Sequence, residues 1–197
     1  MPAAPREVTA QDIIPDAEFA RQRKERRAQL LPIKQLRRVP LGPDCTFYFE
    51  CFETMLFQIQ EMLLIEKGGA EQLADELAAY NPLIPKGREL VATVMFEVDD
   101  PVRRARLLGG LAGVEDNFRI RVGDEVVSGV PEGDVERSRE DGKTSSVHFL
   151  RFAFTDAQVA AFRDPAVTVT VGCDDQRYPH QTTLGGATRR ELARDFA

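Results

Sequence analysis

Between Glu53 and Lys67 the chain places Met55, Leu56, Phe57, Ile59, Met62, Leu63, Leu64 and Ile65. At about 100° per residue these side chains wrap most of the circumference of a helix. Such a helix has no broad wet face, so the fold must cover it on more than one side. Its polar residues Thr54, Gln58 and Glu61 fall four and three apart and make one narrow stripe. Gly68-Gly69 closes the helix as a C-cap. A second helix is predicted over Ala70 to Tyr80, with Leu73, Leu77 and Tyr80 inward and Asn81-Pro82 as its stop.

The elements before this helix have their own signals. Thr9-x-x-Asp12 is a capping-box start to a short turn. Pro15 suits the first position of a helix that Asp16 and Glu18 support through its dipole, and Pro32 is expected to end or kink it near Leu31. From Arg21 to Arg38 there are eight Lys or Arg against Glu25, a local charge of +7, which leaves −13 for the rest of a chain of net charge −6. Arg23 and Arg26 fall on the same side as Phe19 and Leu30, so they do not simply line the solvated back. Cys45 to Phe52 alternates as a strand, with Cys45, Phe47, Phe49 and Cys51 on one face.

After Pro85 the period changes to two. Leu90, Ala92, Val94, Phe96 and Val98 share one face of a strand over Glu89 to Val98. Asp99-Asp100-Pro101 opens a short helix. Phe118–Val122 and Glu125–Val130, joined by Gly123-Asp124, read as a β-hairpin. Glu132 to Lys143 reads as a charged loop. Further strands are predicted at Ser146–Phe154 and Val167–Val171, with a helix capped by Thr155 between them and a terminal helix over Arg189–Phe196. The expected fold is α+β, a helical N-terminal half packed on a mainly antiparallel sheet of about five strands. Residues 1–197 form one globular body, with a helical part over 1–85 and a mainly β part over 86–197.

Composition narrows the function classes. A hydrophobic share of 43% with 29% charged residues supports a packed core. The net charge of −6 argues against nucleic acid as a partner of the whole molecule. Cys45, Cys51 and Cys173 fit neither a Cys-x-x-Cys motif nor a secreted disulfide framework, which points to buried thiols in a reducing compartment. The first ten residues hold no apolar run, and Met62-Leu63-Leu64-Ile65 is far shorter than the roughly 20 residues of a membrane span. A cytoplasmic address with no membrane attachment is therefore expected. Gly68-Gly69 and Gly109-Gly110 lack phosphate-loop patterns and read as helix caps, and there is no Gly-x-Ser-x-Gly elbow.

Several blocks carry a resemblance: Arg23-Lys24-Glu25-Arg26-Arg27-Ala28, Phe47-Tyr48-Phe49-Glu50, Ile65-Glu66-Lys67-Gly68-Gly69, Asp75 through Pro85, and Gly142 through Phe149. Over about three quarters of its length the chain resembles the bacterial family called domain of unknown function 3501. The resemblance implies no assigned activity. It implies partners among rubrerythrin-like and iron–sulfur oxidoreductase-like proteins, through shared gene neighbourhoods, and hence oxidative-stress or redox physiology. Where the family pattern has Asp-His-Pro before a Tyr near the C-terminus, this chain has Asp174-Asp175-Gln176-Arg177-Tyr178.

Three groups of residues could carry function. Glu50 and Glu61 lie among apolar helices and could hold a metal with His148 or His180, but a helical carboxylate site usually adds Glu-x-x-His pairs, and this segment has no His. The competing reading is that Glu50 and Glu61 answer Arg23 and Arg26, with Gln58 on the same stripe. Asp174, Tyr178 and His180, beside Cys173, follow a strand end but match no zinc spacing. His148, between Val147 and Phe149, reads as a structural histidine. Arg21–Arg38 could bind nucleic acid but lacks the interleaved aromatics that stack bases. The leading expectation is an accessory protein without enzymatic activity that acts by protein contact in a redox system and requires no cofactor. A metal-dependent enzyme using Glu50 and Glu61 is second and a nucleic-acid module third. A largely apolar helix in so short a chain is also compatible with a homodimer.

Overall fold

The structure, a computed structural model, describes residues 5–132 and 144–197. The expected charged loop therefore lies outside the described residues from residue 133 onward. Eight strands form one sheet: β1 (Arg38–Leu41), β2 (Cys45–Phe49), β3 (Glu89–Phe96), β4 (Phe118–Val122), β5 (Glu125–Pro131), β6 (Val147–Ala153), β7 (Val169–Cys173) and β8 (Gln181–Thr183). Their order is β1-β2-β3-β6-β5-β4-β7-β8, and every pairing is antiparallel. The expectation of about five strands is thus corrected to eight, curled into a nearly closed barrel.

Two devices bend the sheet. β5 pairs with β4 through Ser128 and then with β6 from Gly129, so the chain turns a corner there. A Cβ on Gly129 would sit 2.9 Å from the Phe152 ring, so only glycine allows that close approach. At the open seam Pro40 of β1 has no N–H to offer a ladder. Its carbonyl instead accepts from the Thr182 hydroxyl of β8 at 2.6 Å. The Tyr178 hydroxyl donates to the Leu41 carbonyl at 2.7 Å and accepts from the Asp44 amide at 3.0 Å, pinning the strand β1–β2 turn to the β7–β8 connection.

Phenylalanine rings fill the barrel. Phe47 and Phe118 meet edge to face at 5.5 Å, as do Phe96 and Tyr178. The predicted inward face Leu90, Ala92, Val94 and Phe96 of β3 is buried, as is Val98 just past the strand's end at Phe96. Val91, on the opposite face, is buried as well, in a second and smaller core with Val8, Met55, Ile59, Leu63, Leu83 and Ile84.

The helices are α1 (Asp16–Leu36), α2 (Phe52–Glu66), α3 (Gly69–Tyr80), α4 (Pro101–Gly109), α5 (Asp156–Arg163) and α6 (Gly186–Leu192). Three of them, α4, α5 and α6, lie in the second half of the chain at the short helices expected there, so the helical part of the fold is not only N-terminal. α1 runs on through Pro32 to Leu36, where a stop near Leu31 was expected. The predicted strand Cys45–Phe52 ends at Phe49, because the Cys51 backbone already caps α2 through the Thr54 side chain. α2 leaves through Lys67 in the left-handed conformation (φ 55°), one residue before the glycines assigned to that role. No helix of the described residues is long and apolar enough to cross a membrane.

Candidate functional site

α1 lies along α2, and the cleft between them is continuous with a pocket at the N-terminus of α2. The pocket, about 210 Å3, is lined by Lys34, Tyr48, Glu50, Thr54, Gln58 and Thr93 among others. Lys34, Tyr48 and Gln58 also line the adjoining groove of about 540 Å3, which continues along Arg27, Leu31, Glu61, Met62 and Ile65.

Glu50 forms the floor of the pocket. It follows β2 directly, and its amide bonds to the Val91 carbonyl of β3, so sheet geometry fixes its backbone. One carboxylate oxygen accepts from the Thr54 hydroxyl and the other from the Thr93 hydroxyl, both at 2.7 Å. Burial pushes the Glu50 carboxyl above its ordinary value, while the two threonines, Lys34 and Arg37 pull the other way. A carboxyl perturbed in this way inside a pocket is a binding-site candidate on physical grounds.

Glu61 does not join Glu50. Both of its oxygens are engaged by Arg23, at 2.7 Å from Nε and 2.6 Å from Nη2. Arg26 makes neither expected contact; its Nε donates to Gln22 one turn back. The expected answer of arginines to carboxylates thus holds for Arg23 and Glu61 and fails for Arg26 and Glu50. A metal between Glu50 and Glu61 would have to displace Arg23 and both threonines, and the described residues contain no cluster of three or more His, Cys, Asp or Glu suited to a metal.

Asp174, Tyr178 and His180 sit elsewhere, at the barrel seam. Asp174 pairs with Arg121 at 2.5 Å. Tyr178 is the seam's hydrogen-bonding post, and burial pushes its hydroxyl up to about 12. The His180 ring packs on Tyr178 with centroids 4.5 Å apart and covers Gly42, whose φ is +64°. His148 is fully buried, with Nε2 2.9 Å from the Ser145 carbonyl, as expected of a structural histidine. All three cysteines are buried free thiols, and burial pushes Cys51 up to about 12 and Cys173 up to about 11. Such thiols are poor nucleophiles at neutral pH.

The residue that the sequence reading missed is Arg37. Buried at the end of α1, its fork grips both oxygens of Asp195 at 2.8 Å. It also bonds Glu191 and the Glu50 carbonyl. Burial works against its charge, but Asp195 more than offsets this, and the guanidinium is held above its ordinary value. In the sequence it is one of eight basic residues, and nothing local marks it; the partner lies 158 residues away.

What is known of similar chains leaves the activity open. The chain belongs to the family described as "Protein of unknown function (DUF3501)", whose model matches residues 7–196. A crystal structure at 1.90 Å of a novel protein of unknown function from Burkholderia pseudomallei K96243 is similar to it, with 34% identity and a TM-score of 0.88 over 96% of this chain and 99% of that one. No curated protein matches the chain.

Proposed function

We propose that this member of the family acts by protein contact through the α1–α2 face, and that its partner is an acidic surface of a redox protein, of the rubrerythrin-like or iron–sulfur oxidoreductase-like kind. The observation that carries the reading is the composition of the groove. α2 is covered along most of its length, its apolar residues buried or half-buried, but the cover stops at its C-terminal end, where Ile65 is 64% exposed and Leu31 of the facing helix 54% exposed. Arg27, Lys34 and Arg38 stand around these apolar side chains. An apolar centre inside a basic rim, on a molecule of net charge −6, complements an acidic partner. A second copy of the chain fits this face less well, because a twofold contact would set the two basic rims against each other. The redox class of the partner rests on the family resemblance, and the buried cysteines give no support to thiol chemistry by the chain itself.

The test is a titration of the purified chain against the rubrerythrin-like and iron–sulfur oxidoreductase-like proteins of the same organism. Binding at roughly micromolar strength is expected, weakening with added salt and falling about tenfold or more in Leu31→Asp/Ile65→Asp. No binding of either protein at roughly 100 µM, or undiminished binding by the double variant, overturns the proposal. A salt-sensitive dimer of the chain that blocks the same residues would overturn it too.

A further inference from the structure

A second cleft, of about 940 Å3, lies between α5, α6 and the β7–β8 edge and shares no lining residue with the α1–α2 groove. Arg163, Arg189, Arg190 and Arg194 line it, and no Asp or Glu does. In a chain of net charge −6 such a concentration of unlike charge needs a reason.

Structural use accounts for only part of it. Arg189 is spent on the backbone: it donates to the carbonyls of Ala161, Phe162, Asp164 and Val167, which satisfies the C-terminal end of α5. Arg194 pairs with Glu191 at 3.0 Å. Arg163 donates to the Phe196 carbonyl at 3.1 Å and to an Ala197 oxygen at 3.4 Å. Exposed Arg190 makes no hydrogen bond or ion pair among the described residues. Arg163 and Arg190 therefore line the cleft with no Asp or Glu side chain in an ion pair with them among the described residues, and Arg189 adds its charge behind its backbone bonds. Burial pulls the Arg189 guanidinium below its ordinary value, while the Asp164 charge pulls the other way.

We propose that this cleft binds a small molecule carrying a phosphate ester or diphosphate on a less polar body. Arg163 and Arg190 would hold the anionic group through their forks, with the charge of Arg189 behind them. Phe162, Val167 and Leu184 offer the apolar wall for the body, and Thr168 and Thr183 line the same cleft with hydroxyls that can orient it. The volume lies in the range of small-molecule sites, which runs to about 1,000 Å3, and accommodates a nucleotide-sized ligand. Several cations lining one cleft favour a dianion over a single carboxylate.

Calorimetric titration of the full chain at low ionic strength, with ADP and glucose 6-phosphate as probes, tests this. At least one should bind with a Kd of about 1 mM or tighter, more weakly as salt is added. Arg190→Ser should weaken binding about tenfold with an unchanged thermal midpoint, and Arg163→Ser should weaken it as much with a small loss of stability from the Phe196 carbonyl it leaves. Leu31→Asp/Ile65→Asp should leave this binding intact, so its outcome is separable from that of the protein-contact reading. No binding of either probe at roughly 5 mM overturns the proposal. So does binding that survives the Arg163→Ser/Arg190→Ser double variant, or inorganic phosphate or citrate binding as tightly as the two esters.

Discussion

Arg23 and Arg37 sit fourteen positions apart on or just after one helix, and each grips a carboxylate with both arms of its fork. The Arg37–Asp195 side chains are 3% and 4% exposed, those of Arg23–Glu61 46% and 16%. The contacts look alike, and burial makes them different in kind. The first pair ties the end of α1, the entry to α2 and the C-terminal segment into one body, in a place water does not reach. The second lies on the wall of an open groove, where solvent and salt compete for both charges. One end of the helical layer is thus anchored and the other is a surface available for contact.

Removing Arg37 should give the largest effect. In Arg37→Met the Asp195 carboxylate stays buried without its countercharge, at a cost of about 3–5 kcal/mol read from urea unfolding. Arg37→Met/Asp195→Leu, which removes both charges, should recover most of that loss. If Arg37→Met costs less than about 1 kcal/mol, the two ends of α1 are not different in the way argued.

Tyr178→Phe probes the other buried tie, at the barrel seam. It strips partners from the Leu41 carbonyl and the Asp44 amide, for an expected loss of about 1–3 kcal/mol. Faster hydrogen exchange at Asp44 than at Val94, in the middle of the sheet, would locate the damage at the seam. Uniform exchange would mean that the barrel opens only as a whole.

The strands with strong alternation were legible because one face of each is core: β3, the β4–β5 hairpin and β6 lie within a residue or two of where the pattern put them. β1 and β8 were not legible. Pro40 demotes β1 by any propensity rule, and Gln181-Thr182-Thr183 carries no apolar signal. Both are edge strands whose place is set by long-range closure through Tyr178 and Thr182, which no local window records. The same holds at the candidate site. Glu61 was legible as a partner for Arg23 because both lie on facing helices with readable periods. Glu50 was assigned to the wrong partners, since its threonine on β3 comes 43 residues later. Arg37 needed the last turn of the chain to be understood.

Glu50 lies between the two regions, its carbonyl held by Arg37 and its carboxyl in the pocket that opens toward the groove. Its folded-state pKa is raised, mainly by burial. The folded protein therefore takes up that proton more readily than the unfolded chain, and the group costs stability once pH rises from the ordinary carboxylate range through the folded value. Glu50→Gln removes this titration. Its stability relative to the parent should rise with pH across that window and then level off, as read from urea midpoints between pH 4 and pH 8. The amide cannot accept from both threonines, but Thr54 can turn its hydroxyl fully to the Cys51 carbonyl, already 3.0 Å away. Parallel curves for parent and variant would show that the carboxyl is not strained by its burial.

Arg23→Ala should change stability least and yet matter for contact. The pair it breaks is largely solvated, so the thermal midpoint should stay within measurement error, and added salt should erase any remaining difference. Its loss nevertheless frees the Glu61 carboxylate on the groove wall. An acidic partner then meets a negative charge that Arg23 had covered, and its association should slow, most visibly at low salt. Arg23→Ala/Glu61→Ala removes that charge and should restore the rate. The opposite pattern, a folding defect with unchanged binding, would place the pair with Arg37 among the anchors of the fold and leave the groove without its basic rim's influence on association.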